Sequence, residues 1–223
     1  MNQVQQGEAE RLAAMASLGD PVRKKLFLLL RASPDALSCE DCAAALGLPK
    51  STIRAHLDRL VAEGLMMVEF RKTGARTGPG SGRPSKLYAV AMGEVGASVP
   101  SRHYDLAADL LAAAVKRSMD SGANITEALA DVAFEAGREL GAAQGTLHQV
   151  LAATGYEPRP DGAGGTIMAN CPFHRIAQDH SEVMCALNGS LLNGALAGSG
   201  DTGHGIVPDA EATHCCARIV PRP

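Results

Sequence analysis

The sequence contains no tryptophan and few other aromatic side chains, which limits how its core can be built. Aromatic residues make up only 3% of the 223 residues, so Ala, Leu and Val must fill the interior. Because Ala and Leu are strong helix formers, this composition favours helices. Apolar residues account for 46% of the chain and charged residues for 20%, which predicts a globular protein long enough for two modest domains.

A long apolar run is also missing. No stretch approaches the roughly 20 apolar residues that a membrane helix needs, so we expect no membrane partner. Residues 1–13 are polar and acidic and lack the hydrophobic region of a signal peptide. We therefore expect a cytoplasmic protein, in which grouped cysteines are more often metal ligands or redox groups than structural disulfides.

Signatures of catalysis are missing as well. The sequence has no G-x-S-x-G elbow, no phosphate-binding loop and no paired-carboxylate motif. Ser181, Asn188 and the seven histidines are residue types that hydrolases use, but they do not form a hydrolase pattern. We therefore expect that the chain is not an enzyme.

Charge is divided unevenly along the chain. Residues 1–90 carry 13 Lys and Arg against 9 Asp and Glu, whereas residues 91–223 carry 8 against 15. Within the first part, residues 50–90 hold 8 basic and 3 acidic side chains. A basic stretch on an otherwise acidic chain is typical of a phosphate-binding surface, here the backbone of double-stranded DNA.

The pattern of residues 8–90 predicts a winged helix-turn-helix. Helices are expected over 8–18, over 21–32 and from Ser38 to residue 46, followed by a turn at Gly47-Leu48-Pro49 and a helix with one apolar face up to Gly64. Two apolar runs at 65–70 and 86–90 flank a segment rich in Gly, Pro and Arg, which predicts a β-hairpin wing.

The second helix of such a unit lies in the major groove of DNA, and its first residues reach the base edges. We therefore predict DNA contacts from the recognition helix and phosphate or minor-groove contacts from the wing. The predicted recognition-helix contacts are Lys50, Ser51, Thr52, Arg54, His56 and Arg59, and the predicted wing contacts are Arg71, Lys72, Arg76, Arg83 and Lys86.

Three segments of this half resemble the winged-helix regulators of the ArsR-like group. They are SLGDPVRKKLFLLL, LPKSTIRAHLDRLVAEGL and GRPSKLYAV, which look like the first helix, the recognition helix and the returning strand of the wing. The resemblance covers residues 15–90. It implies DNA binding and says little about the signal.

The remainder of the chain predicts a helical segment followed by a mixed region. Ala- and Leu-rich patterns predict helices over 102–119 and 126–154, which are expected to serve as homodimer or interdomain surfaces. Beyond them we expect a loop at 157–165, a strand at 166–170, a helix at 181–197, a loop at 201–213 and a strand at 216–220. The fold class is therefore α+β, with a winged helix-turn-helix over 1–92, linking and dimerisation helices over 93–155 and a cysteine-containing α/β sensor region over 156–223.

Four cysteines fall in the last region, namely Cys171, Cys185, Cys215 and Cys216. Their spacing matches neither the C-x2-C pairs of zinc ribbons nor the runs of ferredoxins. The predicted elements nevertheless place them on three separate segments that could converge on one site. Metal binding, disulfides and simple burial all remain open from spacing alone, because free cysteine is among the most buried residue types.

The segments NCPFHRIAQDHSEVMCALN and HCCARI resemble the C-terminal domain of SufR-type regulators, which are winged-helix repressors of iron–sulfur assembly genes. The resemblance implies a labile [4Fe–4S] cluster bound by Cys171, Cys185 and one of Cys215 or Cys216. Zinc is the main alternative cofactor, which would make the chain a zinc-dependent or ligand-responsive regulator. An iron–sulfur carrier is a further alternative.

The adjacent pair Cys215-Cys216 departs from a simple ligand set. Neighbouring side chains in a strand point to opposite faces, so only one of the two is expected to bind strongly unless the backbone bends there. The fourth ligand is left open between the other cysteine, a small molecule, no group at all, or one of four histidines, namely His174, His180, His204 and His214. Cys39 and Cys42 form a C-x-x-C pair in the DNA-binding half and are interpreted as packing or surface thiols.

Overall fold

A computed structural model of the chain describes residues 8–71, 84–91, 96–209 and 215–222. The chain divides into two units, Met1–Ala97 and Ser98–Pro223. The helices of the predicted segment 93–155 belong to the same unit as the C-terminal cysteines. The three-segment division of the chain stays a prediction.

The N-terminal unit contains a helix-turn-helix, and local capping chemistry sets where its helices begin. The Asp20 side chain accepts hydrogen bonds of 2.9 Å from the backbone N–H groups of Val22 and Arg23. Ser38 and Asp41 form the predicted capping box at the next helix. The helices are α1 (Glu8–Ser17), α2 (Pro21–Ala32), α3 (Cys39–Leu46) and α4 (Lys50–Ala62).

The recognition helix α4 packs through one apolar stripe. Ile53, Leu57 and Leu60 are fully buried, as their spacing predicts. The helix ends with Glu63 at its C-cap, and Gly64 follows with a φ of +70°, a conformation that glycine adopts without strain. The stripe fixes which residues of α4 face outward.

A small antiparallel sheet completes the N-terminal unit. It contains β1 (Leu37–Ser38), β2 (Met66–Arg71) and β3 (Ser85–Val90), in the order β1-β3-β2. Strands β2 and β3 are the predicted arms of the wing, and Phe70 pairs with Lys86 in their register. The strand β1 was not predicted, because two residues are too short for an alternating pattern.

The C-terminal unit packs helices and a second sheet around one apolar core. Its helices are α5 (Tyr104–Ser121), α6 (Ile125–Gln144), α7 (Leu147–Ala153), α8 (His174–Asp179) and α9 (Ser181–Ser199). The predicted single helix over 126–154 is in fact two helices. Gly145 has a φ of +84° and ends α6, and the Thr146 side chain caps α7 by accepting a hydrogen bond from the Gln149 N–H.

Helices α6 and α9 approach each other closely enough for glycine to be required at the crossing. A Cβ atom on Gly194 would lie 2.0 Å from the Phe134 carbonyl oxygen, and one on Gly137 would lie 1.9 Å from the Leu191 carbonyl oxygen. Glycine at such a position allows one backbone to contact another directly. This contact fixes the position of α9, the helix that carries Cys185.

The second sheet is antiparallel, and two of its strands lie where loops were predicted. Its strands are β4 (Pro158–Pro160), β5 (Thr166–Met168), β6 (His204–Pro208) and β7 (Ala217–Pro221), in the order β4-β5-β7-β6. Strand β4 lies within the predicted loop at 157–165, and β6 within the predicted loop at 201–213. Both strands contain prolines or glycine, which weakened their sequence signal. Among the described residues, no helix has the length and apolar character needed to cross a membrane.

Candidate functional site

The outward face of α4 carries the predicted DNA-contacting residues. Lys50, Ser51, Arg54 and Arg59 are exposed, whereas Thr52 and His56 are partly buried. Because the apolar stripe holds the opposite side of α4 against the core, these residues form one polar surface. Arg71 and Lys86 lie on β2 and β3 and are also exposed, whereas the predicted wing contacts Lys72, Arg76 and Arg83 lie outside the described residues.

Carboxylates pair with several of these basic side chains. The distances between paired nitrogen and oxygen atoms are 3.2 Å for Lys50 with Glu40, 2.9 Å for Lys86 with Asp58 and 2.9 Å for Arg71 with Glu69. Arg59 pairs with Glu63 one turn later on α4. The pairs of Lys50, Lys86 and Arg71 are exposed and contribute roughly 0–1 kcal/mol each, so a DNA phosphate can compete for these cations.

A groove of about 900 Å³ lies between α3, α4 and the strands of the wing. Its lining includes Glu40, Arg54, Asp58, Phe70 and Lys86. Phe70 is 70% exposed, which is unusual for an aromatic side chain in a sheet. The groove therefore combines cations, carboxylates and an exposed ring next to the recognition helix.

The four C-terminal cysteines come from three parts of the chain and meet in the C-terminal unit. Cys171 follows β5, Cys185 lies on α9, and Cys215 and Cys216 immediately precede β7. Side-chain interactions connect Cys171 with Cys215, Cys215 with Cys216, and Cys216 with Cys185. The structure thus brings together all four predicted ligand cysteines.

Both thiols of the adjacent pair belong to this group, which differs from the expected alternation. Cys215 and Cys216 lie before β7 and not within it, and the backbone bends at Cys216. The amide nitrogen of Asn188 lies 3.5 Å from the sulfur of Cys215 and 3.7 Å from that of Cys216. The bend therefore turns both sulfurs toward the same side chain. Which of the two is a metal ligand stays a prediction.

The thiols differ in exposure and in their tendency to ionise. Cys171 and Cys215 are buried, whereas Cys185 and Cys216 are half-buried. Hydrogen bonding from the Cys215 thiol lowers the pKa of Cys171, and the same pair interaction raises the pKa of Cys215 to about 11. Burial, together with the Cys216 thiol, raises the pKa of Cys185 to about 12. Cys216 also has a raised pKa, first because of its contact with Cys215.

Hydrogen bonds from a buried asparagine and an arginine hold the Cys171 segment in place. The Asn170 amide nitrogen donates to the carbonyl oxygens of Ser101 at 2.9 Å and Gly155 at 2.6 Å. Arg102 donates to the Asn170 side chain and, at 3.2 Å, to the Cys171 carbonyl oxygen. These contacts fix the backbone at Cys171, and no sequence motif indicated them.

The histidines offered as a fourth ligand have other surroundings. The His204 ring nitrogen lies 2.9 Å from the Asp201 carboxylate, and His174 lies 3.3 Å from the Gln178 side chain. His180 is exposed at the junction of α8 and α9, and His214 lies outside the described residues. Within the described ranges, no three His, Cys, Asp or Glu side chains are placed to hold a single metal ion.

Cys39 and Cys42 lie in the core of the N-terminal unit. Cys42 is fully buried, and burial raises its pKa to about 11. The Cys39 sulfur lies 3.5 Å from the Lys50 carbonyl oxygen. A buried, protonated thiol acts as a small apolar side chain.

Comparison with known proteins supports the assignment of the N-terminal unit. Residues 18–69 match the model of a helix-turn-helix domain, and this range runs from the start of α2 into β2. No curated protein sequence matches the chain. The helix-turn-helix domain indicates a DNA-binding transcriptional regulator, a class that is typically not enzymatic.

Proposed function

We propose that this chain represses iron–sulfur cluster assembly genes and that its affinity for operator DNA depends on a [4Fe–4S] cluster in the C-terminal unit. One observation carries the proposal. Four thiols from three separate parts of the chain interact side by side in the unit that follows the DNA-binding domain. The resemblance of the cysteine segments to SufR-type regulators supports the same reading.

Four cysteine thiolates suit an iron–sulfur cluster, and they also suit a tetrahedral zinc ion. In a [4Fe–4S] cluster the thiolates bind different irons, so the sulfurs need not converge on one point. The resemblance of the cysteine segments to SufR-type regulators favours the cluster, and zinc is the alternative that the metal assays distinguish.

Cys171, Cys185 and the Cys215-Cys216 pair would hold the cluster. When bound, such a cluster supplies one-electron redox chemistry and a point of attack for oxidants. The protein shields this site unevenly, because Cys171 and Cys215 are buried and Cys185 and Cys216 are partly exposed. Small oxidants would therefore reach the cluster from the side of Cys185 and Cys216.

A change at the cysteines can alter DNA binding only if the two ligation states favour different arrangements of the protein. Cys171, Cys185 and the Cys215-Cys216 pair come from a loop, a helix and the start of a strand. A cluster bound by all three segments would hold them together, whereas the free thiols of the cluster-free protein form no such link. We propose that this difference is transmitted to the DNA-binding domain.

We further propose that the chain binds a palindromic operator as a homodimer. Helix-turn-helix dimers bind half-sites about 34–36 Å apart. Exposed apolar side chains on α5 and at the start of α6 offer a surface for a second copy. They are Val115 at 50% exposure, Met119 at 79% and Ile125 at 48%. Light scattering of wild type and of Met119→Lys tests this: the variant should be monomeric at concentrations where wild type is a dimer.

Anaerobic purification with iron, sulfide and zinc assays tests the cofactor. We expect iron and acid-labile sulfide in wild type and in Cys42→Ala, and neither in Cys185→Ala. Cys42 is the matched control because its thiol is buried in the other unit. Zinc without sulfide would replace the proposal with a zinc-dependent regulator.

Operator binding is then compared between cluster-loaded and cluster-free protein. We expect at least a tenfold difference in Kd at fixed salt, since affinities for DNA depend strongly on ionic strength. Equal affinity of the two forms for the operator would exclude cluster-dependent repression. Cluster binding without any DNA binding would instead indicate an iron–sulfur carrier.

A further inference from the structure

Asn188 is a buried amide in the apolar core of the C-terminal unit. It is 1% exposed and lies on α9, one turn after Cys185. Residues three apart on a helix share a face, so Asn188 and Cys185 point to the same side of α9. Its amide nitrogen reaches two sulfurs, those of Cys215 and Cys216.

The Tyr156 side chain fixes the orientation of this amide. Tyr156 is fully buried, and its hydroxyl donates to the side-chain oxygen of Asn188. The nitrogen of the amide is therefore the end that faces the sulfurs. An amide NH2 group has two N–H donors, so each sulfur can accept its own hydrogen bond.

An amide at this position is costly unless its polar atoms are used. Burying an unpaired amide is unfavourable, whereas a leucine of similar branching would be buried in the same core without losing hydrogen bonds to water. Here both ends of the Asn188 side chain have partners, and the donor end has only sulfur partners among the described contacts. The N–H groups of the amide thus point toward the sulfurs of Cys215 and Cys216, of which Cys215 is buried in the apolar core and Cys216 is half-buried.

We propose that Asn188 is the positioning residue for the Cys215-Cys216 pair, oriented by Tyr156, and that it sets the reduction potential of the bound cluster. The inference rests on the proposed function above. Hydrogen bonds to ligand sulfurs stabilise the more negative, reduced state and so raise the potential of an iron–sulfur cluster. They also orient the ligands before the metal binds.

Replacement of Asn188 by leucine tests both effects. Asn188→Leu keeps the branching and the number of heavy atoms of the side chain and removes the donor, so we expect a tenfold to 100-fold loss in iron affinity, the range typical for groups that orient metal ligands. We also expect the ratio of reduced to oxidised cluster at a fixed potential to fall about tenfold. For a one-electron couple this corresponds to a midpoint shift of about 59 mV to more negative values.

Asn193→Leu is the matched control. Asn193 lies on the same helix and is exposed, and among the described residues its side chain donates to the Gly189 carbonyl oxygen at 2.8 Å. The experiment reconstitutes wild type and both variants anaerobically with ferrous iron and sulfide. It then measures iron and sulfide per chain, the midpoint potential, and thermal unfolding of the cluster-free protein.

Tyr156→Phe provides a second variant in case Asn188→Leu fails to fold. It removes the hydroxyl that orients the amide and leaves Asn188 in place, so we expect a smaller negative shift of the potential. The inference is overturned if folded Asn188→Leu has the same midpoint potential and the same iron affinity as Asn193→Leu. If Asn188→Leu does not fold, the same comparison is made between Tyr156→Phe and Asn193→Leu. If the inference is overturned but wild type binds the cluster, the proposed function is unaffected and only the role of Asn188 is excluded. If wild type takes up no iron and sulfide, both the role of Asn188 and the proposed function are excluded.

Discussion

The two units of this protein place their functional side chains in opposite environments. In the N-terminal unit most of the predicted DNA contacts that the structure describes are exposed, and Lys50 and Lys86 pair with exposed carboxylates. In the C-terminal unit the cysteines and Asn188 are buried or half-buried, and short side-chain contacts connect them.

This difference implies different responses to substitution. Exposed charges act through solvent, and each one contributes a small part of a shared field. A buried polar network depends on every member, because each lost partner leaves another group unsatisfied. We therefore expect gradual effects in the N-terminal unit and abrupt effects in the C-terminal unit.

The largest effect is expected at the crossing of α6 and α9. Gly194→Ala places a methyl group 2.0 Å from the Phe134 carbonyl oxygen, and neither backbone can move aside easily. We expect the C-terminal unit to lose at least about 3 kcal/mol, the upper end of the usual cost of overpacking. Denaturant unfolding followed by circular dichroism measures the loss.

Gly189→Ala on the same helix is the control for this prediction. A Cβ atom at Gly189 would meet nothing within 4 Å, so the substitution should be neutral or stabilise the helix by up to about 1 kcal/mol. Equal stability of the two variants would contradict the close packing of α6 on α9.

Arg54 is the cleanest test of the recognition helix. Arg54→Ala should weaken binding to the specific operator by about 1–3 kcal/mol if the side chain reads a base pair. Arg59 is a less direct test, because it pairs with the nearly buried carboxylate of Glu63 and its loss would also affect stability. Arg31→Ala, exposed at the end of α2, serves as the control in binding assays at fixed salt. Identical affinities of the two variants would exclude Arg54 from the interface.

A smaller effect of opposite sign is expected at Asp58. This carboxylate pairs with Lys86 at 2.9 Å and adds negative charge to the surface predicted to contact DNA. Asp58→Asn should tighten DNA binding by a few fold and increase the magnitude of the salt slope by about 1, because Lys86 becomes available for a phosphate. Asp35→Asn, in the turn before β1, is the control. Weaker binding by Asp58→Asn would indicate that the ion pair organises the wing.

The two units also differ in how much of them the sequence predicts. Local signals determine most of the N-terminal unit: the Ser38 capping box, the apolar stripe of α4 and the two arms of the wing are confirmed. Such features depend on residues a few positions apart. The short strand β1 is the exception, since it exists only by pairing with β3.

Long-range contacts determine the C-terminal unit, and local patterns indicate them poorly. The cysteines were predicted as a group, but their contacts depend on the crossing of α6 and α9 and on the bend at Cys216. Strand β6 was missed because its own sequence has no clear strand pattern, and the strand forms by pairing with β7. Asn188 carried one weak local signal, a polar side chain directly after the apolar run 183–187 and three residues after Cys185.

The smallest effect is expected from acid at the capping box of α3. Hydrogen bonds from Ser38 lower the pKa of Asp41 below its ordinary value of 3.8. The unfolded chain therefore binds this proton more readily than the folded one, so the contribution of Asp41 to stability is complete above the unfolded pKa and is lost as the pH falls through the lower, folded pKa. Asp41→Asn should reduce the dependence of unfolding on pH in this acidic range, whereas Asp35→Asn should keep it. The loss of stability should be gradual, as expected for an exposed group. An abrupt acid transition that disappears in Asp41→Asn would contradict this, because it would show that the cap behaves like the buried polar network of the C-terminal unit.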